Sequence, residues 1–261
     1  MGAGVSSSAA LEVATVIALL ALAGVETDGV QIAKWAQAVE NSFVGMPCGI
    51  MDQYASANGA AENAIILDCR TLTATRVPLP PEAGFLLVNS MMRHAHVDGE
   101  YRRRREECQS AARILGVRSL RDIEESELAE VLSRLPAGPA KRCRHVVGEI
   151  ARVRTAERAL REGDLPALGE LINRSHESLR MDMEVSVDVV DRLVAIARAT
   201  PGVFGARMMG GGFGGSVIAL LRARDGERAM AQIQSTYGES IGQKPTAFLC
   251  RAVGAAGEVS P

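Results

Sequence analysis

The chain has no CxxC pair, no apolar run long enough to cross a bilayer, and almost no net charge, and aromatic residues are only 3% of its 261 residues. Each absence removes a class of protein. The five cysteines, Cys48, Cys69, Cys108, Cys143 and Cys250, are odd in number and widely spaced, which argues against a zinc site or a disulfide framework and for reduced thiols in a cytoplasmic setting. A net charge of -2 gives no global pull toward nucleic acid or an anionic membrane. Arg102, Arg103, Arg104 and Arg105 form a basic run, but Glu106 and Glu107 follow at once and Tyr101 is the one aromatic beside it. That run reads as a solvated helix face. His94 and His96 have no third ligand at metal-binding spacing, and His145 and His176 fall on expected helices as packing histidines.

The start of the chain is apolar, and it is not expected to be a leader. Gly and Ser follow Met1 in place of a basic segment. The apolar run at residues 11–23 is also short of the ~20 residues that span a bilayer. It contains no Pro and a single charge, Glu12, and is expected to form a buried helix. Gly2, Ala3, Gly4, Val5, Ser6, Ser7 and Ser8 lead into it. Free backbone N–H groups and the dipole make such a helix start a place for anions. Serine hydroxyls there can cap the helix, bind phosphate oxygens or ligate a hard cation. An ordinary Ser-rich cap and a phosphate loop remain equal readings, and no Gly-Lys-Ser/Thr follows, so it is not a Walker A loop.

After a C-cap at Gly24, Thr27 or Asp28 caps a second helix reaching about Glu40. A Pro/Gly loop then opens a short helix through Ala57. Strands are expected at 64–68, 73–77 and 85–89. From Gly99 the chain turns helical, with candidates at 100–115, 125–135, 141–162, 165–179 and 186–199. Strands at 202–208 and 216–221, a helix at 227–237 and a last strand at 247–250 complete an α+β pattern of two lobes. The expected boundary divides residues 1–92 from 93–261.

Three features could carry chemistry. Asp52 sits among small and apolar residues, as a helix cap or as a poised base, and the cap is the favoured reading on local grounds. Glu40 lies at a helix end, where a negative charge opposes the dipole and hints at a cation nearby. Gly210, Gly211, Gly212, Gly214 and Gly215 put five glycines in six residues. One would serve a turn, so five point to a loop that must approach a ligand closely.

Taken together, these stretches resemble the GHMP small-molecule kinases. The loop from Gly2 to Ala10 looks like the second motif of that family, and Arg207, Met208, Met209 and the glycines after them look like the third. Gly45-Met46-Pro47-Cys48-Gly49-Ile50-Met51-Asp52-Gln53 resembles the galactokinases in particular. So do Asn89-Ser90, Tyr101 with its arginines, Arg142-Cys143-Arg144-His145-Val146-Val147 and Ser175-His176-Glu177-Ser178-Leu179. The resemblance runs from Gly2 to about residue 250. It implies a two-lobed fold, a partial ribosomal protein S5 domain 2-like lobe followed by a ferredoxin-like lobe. It also implies ATP-dependent phosphorylation of galactose to galactose 1-phosphate.

Carried over residue by residue, the resemblance implies that Gly2, Ala3, Gly4, Val5, Ser6, Ser7 and Ser8 cradle the ATP phosphates and that Ser8 and Glu40 hold Mg²⁺. Asp52 accepts the proton of the attacking sugar hydroxyl. Gly49, Asp52 and Tyr101 contact galactose, and the glycines at 210–215 close over the site. Two departures stand out. Met209 occupies a position where the family carries Thr, which removes a hydroxyl near the phosphates. The first family motif, of the form Arg-Val-Asn-Leu-Ile-Gly-Glu-His, is absent from the sequence. The chain is therefore expected to be such a kinase without its N-terminal portion, impaired in turnover and inclined to self-associate through an exposed N-terminal lobe. The competing expectations are another GHMP sugar kinase, such as one acting on N-acetylhexosamines, a non-catalytic galactose/ATP sensor, or an inactive fragment.

Overall fold

The structure, a computed structural model, describes residues 5–46, 48–93 and 97–257. The calls on Met1, Gly2, Ala3, Gly4, Pro47, His94 and His96 lie outside the described residues. The chain forms two compact units, one of residues 1–79 with 251–261 and one of residues 80–250.

In the first unit, α1 (Ser7–Ala23), α2 (Gly29–Ala38) and α3 (Met51–Asn58) pack on one another, and β1 (Asn63–Asp68) pairs antiparallel with β2 (Thr73–Pro78). Gly24 ends α1 in the left-handed conformation, φ 64°, as expected of a glycine C-cap. Asp28 caps α2 by accepting the Gln31 N–H at 2.7 Å. The chain does not leave the helix after Ala38 but continues through a π-helical turn, Val39–Val44. Val13, Ala33, Ala36, Ile50, Tyr54 and Ala57 form the core. Alanines at 33 and 36 let α1 lie close on α2. The terminal stretch returns here: Glu62 N–H donates to Ala252 O and Ala256 N–H to Ser56 O.

α1 is less buried than its composition leads one to expect. Ala9 and Val13 are its buried residues, while Leu11, Leu19 and Leu22 are 67%, 61% and 86% exposed. A helix that is apolar all round gives no period to mark its inner face, and the three-helix packing covers one side of it.

The second unit is a four-stranded antiparallel sheet in the order β4-β5-β3-β6, where β3 is Ala83–Arg93, β4 Val203–Met208, β5 Gly214–Arg222 and β6 Thr246–Cys250. Around it run α4 (Val97–Leu115), α5 (Leu128–Ser133), α6 (Ala137–Glu162), α7 (Leu165–Ser178), α8 (Asp188–Ala199) and α9 (Gly226–Ile241). Alternate residues Val217, Ala219 and Leu221 of β5, with Leu86 and Val88 of β3, bury against Leu193 and Val194 of α8 and Ile233 and Tyr237 of α9. This is the period-2 and period-3.6 pattern of a sheet covered by helices. A second core, with Ala111, Leu120, Ile123, Val131, Cys143 and Val147, binds α4, α5 and α6. α7 lies so close on β4 that a Cβ at Gly169 or Gly205 would run into the other strand or helix.

The units divide between residues 79 and 80, not at the expected 92/93. The reason is β3, whose residues pair with β5 on one side and β6 on the other, so the strand belongs whole to the second unit. The stretch from Arg251 belongs to the first.

Candidate active site

In the first unit, the start of α1 and the start of α3 meet. Ser6 precedes α1 in the left-handed region, φ 54°, and its side chain makes no cap. Its hydroxyl instead donates to Asp52 Oδ2 at 2.5 Å, a short charge-assisted bond. Asp52 lies in the first turn of α3, behind Ile50 at the cap position, and no side chain caps that helix. The cap reading of Asp52 is thus corrected: its carboxylate faces the serine loop. Ser7 and Ser8 are exposed. Gly49 is exposed too, with open space where a Cβ would stand.

Behind these groups lies a buried acidic cluster. Glu40, on the π-helical turn, is 7% exposed and Gln53 2%. Gln53 Nε2 donates to Glu12 Oε2 at 3.2 Å and reaches Cys48 Sγ at 3.7 Å. Glu12 stands one helical turn beyond Ser8, on the same face of α1. Burial, and then the neighbouring Glu40 carboxyl, push the Glu12 carboxyl up to about 7. Glu40 Oε2 and Gln53 Oε1 are buried with no hydrogen-bond partner. Two carboxyls and a carboxamide, with the Glu40 and Gln53 oxygens orphaned, suit a hard cation. Glu12 and Gln53 had no assigned role in the sequence reading. The signal was there for Glu12, the one charge in an otherwise apolar helix.

In the second unit, the glycine run closes the β4–β5 hairpin, with Gly214 and Gly215 already in β5. Gly210, Gly212, Gly214 and Gly215 have φ of 78°, 94°, 133° and 83°, and Phe213 joins them at 60°, a conformation that favours glycine. Met209 N–H donates to Ser216 O at 2.9 Å and Phe213 N–H to Val185 O at 2.7 Å. Tyr101 of α4 lies beside the loop, its Cδ2 3.6 Å from where a Gly211 Cβ would stand. Gly49, Asp52, Glu40 and Ser8 are therefore assembled in one unit and Tyr101 with the glycine loop in the other.

His145 and His176 are satisfied within the core. His145 Nδ1 shares a 3.0 Å hydrogen bond with Ser178 Oγ, and His176 Nε2 lies 3.2 Å from an Asp191 carboxylate oxygen. One arginine of the basic run departs from the solvated-face reading. Arg104 is 8% exposed and turns inward to the carbonyls of Met183 and Glu184. Among the described residues no group of three or more His, Cys, Asp or Glu forms a metal cluster, and no helix is long and apolar enough to cross a membrane.

Comparison with known proteins defines the class. The N-terminal domain of the GHMP kinases matches residues 1–60 and their C-terminal domain residues 156–239. The crystal structure of Lactococcus lactis galactokinase, complexed with galactose, superposes with a TM-score of 0.93 at 30% identity, over 98% of this chain and 67% of that one. The chain belongs to the GHMP kinase family, in its galactokinase branch. Galactokinase of Homo sapiens is 46% identical over 239 residues, which is 91% of this chain and 61% of that protein. The chain thus spans about three fifths of the length of that curated relative. The crystal structure of L. major mevalonate kinase, at a TM-score of 0.62 and 17% identity, shares the fold. The expected two-lobed α+β fold is the one observed.

Proposed function

We propose that the chain carries the ATP-dependent phosphorylation of galactose at its anomeric hydroxyl, giving galactose 1-phosphate. The Ser6–Asp52 hydrogen bond carries this reading, because it joins a helix N-terminus suited to phosphate with a carboxylate suited to take a proton. Asp52 accepts the proton of the sugar hydroxyl as that oxygen attacks the γ-phosphate. Val5, Ser6, Ser7 and Ser8, with the backbone N–H groups that open α1, bind the phosphates, and the family likeness gives Gly2, Ala3 and Gly4 the same role. Gly49 leaves room for the sugar, and Tyr101 is assigned to it by the family likeness. The glycine loop of the second unit is assigned to the nucleotide.

Mg²⁺ would be held by Ser8 and Glu40, and when bound it neutralises charge on the phosphate oxygens. The orphaned Glu40 Oε2 supports that choice. The five free cysteines support a reducing, cytoplasmic setting. Exposed Leu11, Leu19, Leu22 and Phe43 support self-association through the first unit. The stretch Arg-Val-Asn-Leu-Ile-Gly-Glu-His, with the positive charge and sugar ligands it supplies in the family, is not among the 261 residues. Turnover by the chain alone is expected to be far below the ~1–100 s⁻¹ usual for kinases. A coupled ADP-release assay with galactose, N-acetylgalactosamine and no sugar tests both points. Sugar-dependent ADP release confined to the N-acetylhexosamine would displace galactose as the substrate.

A further inference from the structure

The base of the glycine loop is closed by the Met209 N–H to Ser216 O bond, and its tip is held from outside the loop. Phe213 takes a left-handed φ of 60°, and its N–H is tied to Val185 O at 2.7 Å. A Cβ at Gly212 would run into Val185. The loop tip is therefore seated on Val185, a buried residue outside the loop. Val185 follows the π-helical turn Leu179–Met183, and Glu184 between them has a φ of 55°. Val185 N–H closes back on Leu179 O at 3.1 Å, but residues 184–187 and 209–213 themselves lie outside any helix or strand.

What fixes that turn is a set of cations from α4 and α6. Arg142, 2% exposed, donates Nε to Glu107 Oε2 at 2.6 Å, Nη2 to Glu184 Oε2 at 2.7 Å, and Nη1 to the carbonyl of Asp182. Arg104 donates Nε to Met183 O at 2.9 Å and Nη2 to Glu184 O at 3.2 Å. Lys141 Nζ meets Glu184 Oε1 at 2.5 Å. Three successive carbonyls and one carboxylate of the turn are thus held by side chains anchored in the helical core. A planar guanidinium can serve three acceptors at fixed angles, and lysine cannot. A surface turn needs no such arrangement, and a buried arginine is costly unless it is fully paired.

We propose that Arg142 and Arg104, acting through Glu184 and Val185, are positioning residues for the glycine loop. They set where the Val185 carbonyl stands, and the carbonyl sets the loop. The consequence for ATP rests on the assignment of that loop to the nucleotide; the positioning itself does not.

The test is residue-resolved hydrogen exchange and MgATP titration on the full chain carrying Arg142→Lys or Glu184→Gln. Loss of a buried arginine can cost the fold, whereas the Glu184 side chain is 39% exposed, so Glu184→Gln keeps the test usable if Arg142→Lys does not fold. The expected result is amide exchange at Phe213 faster by about tenfold or more, with the α8 and α9 core amides unchanged, and MgATP affinity lower by about fivefold or more. An unchanged Phe213 amide, or acceleration spread evenly over the second unit, would overturn the proposal. Selective loosening at Phe213 with MgATP affinity intact would uphold the positioning and reject the nucleotide assignment of the loop.

Discussion

The two units treat buried polar groups in opposite ways. In the second, Arg142, Arg104 and His176 are buried, and each meets a charged or polar partner. In the first, Glu40 and Gln53 are as deeply buried, yet Glu40 Oε2 and Gln53 Oε1 have no partner. An unpaired buried oxygen costs about 1–3 kcal/mol, so it persists where a ligand completes it or where function requires it. The difference separates a unit whose buried charges are paired from one whose buried carboxyl and carboxamide oxygens are not. Dense, satisfied networks fix geometry in the second unit. The unpaired cluster of the first unit lies behind the residues proposed to act, Ser8 and Asp52.

The sharpest way to break this contrast is Asp52→Asn. It keeps the size of the side chain and its acceptor oxygen, but it cannot take a proton. In a version of the chain that also carries the family's first motif, sugar-dependent ADP release is expected to fall ~10²–10⁴-fold, the usual worth of a general base, with MgATP affinity and thermal stability nearly unchanged. Retention of more than about a tenth of the rate would reduce Asp52 to an anchor for Ser6.

Glu40→Gln probes the frustration itself. Removing one charge from the pair with Glu12 is expected to stabilise the metal-free chain, by about 1–2 kcal/mol, and to abolish the Mg²⁺-dependent stabilisation expected of the proposed site. Glu107→Gln in the second unit is the counter-experiment, and it is expected to destabilise by a similar amount because Arg142 then lacks its partner. If both variants move Tm the same way with Mg²⁺ and without it, the two networks do not differ in kind.

Acid and base should likewise separate the units. Burial holds His145 and His176 below the ordinary value of 6.5, so the unfolded chain takes up those protons first and stability falls as pH drops below about 6.5. The Lys141 ammonium, then the Arg142 guanidinium, hold the Glu184 carboxyl down at about 2, against an ordinary 4.5. Its contribution is present above 4.5 and is lost as pH falls from there toward 2. In the first unit Glu12 has the opposite sign. Its carboxyl is raised from 4.5 to about 7, so the folded state holds the proton and stability falls as pH rises across that window. Trp35 of α2 is the single tryptophan and reports on the first unit. In chelator-containing buffer its melting transition should drop between pH 4.5 and 7, and an unchanged transition would remove the strain assigned to Glu12 and Glu40.

The element order was legible because patterns repeat along the chain: the 3.6 period of α8, the alternation in β5, the cap at Asp28 and the glycine at 24. What was not legible depended on partners distant in sequence. Arg104 sits in a run of four arginines, and only the carbonyls of Met183 and Glu184, far along the chain, single it out. The π-helical turns at Val39–Val44 and Leu179–Met183 have no local signature, yet one carries Glu40 and the other leads to Val185. Asp52 read as a cap because the Ser6 hydroxyl that engages it lies 46 positions away. The division of the chain was misplaced because the length of β3 follows from its pairing with β5 and β6, not from its own residues.

The smallest expected effect bears on the outer face of α1. Leu22 is 86% exposed and Leu19 61%, so each has little burial to lose within the chain. Leu22→Gln should change the stability of a dilute monomer by no more than about 0.5 kcal/mol, as for other surface substitutions. Leu193→Ala in the core of the second unit, by contrast, should cost about 2–5 kcal/mol. The two numbers restate the difference between a satisfied core and an uncovered helix. A concentration series distinguishes what covers that helix in solution. If copies associate through α1, the apparent Tm of the unaltered chain rises with protein concentration, and Leu22→Gln with Leu19→Gln flattens that rise while leaving the dilute Tm alone. A slope that is zero in both proteins would mean that the leucines of α1 face solvent without a second copy, and the self-association proposed for the first unit would fall.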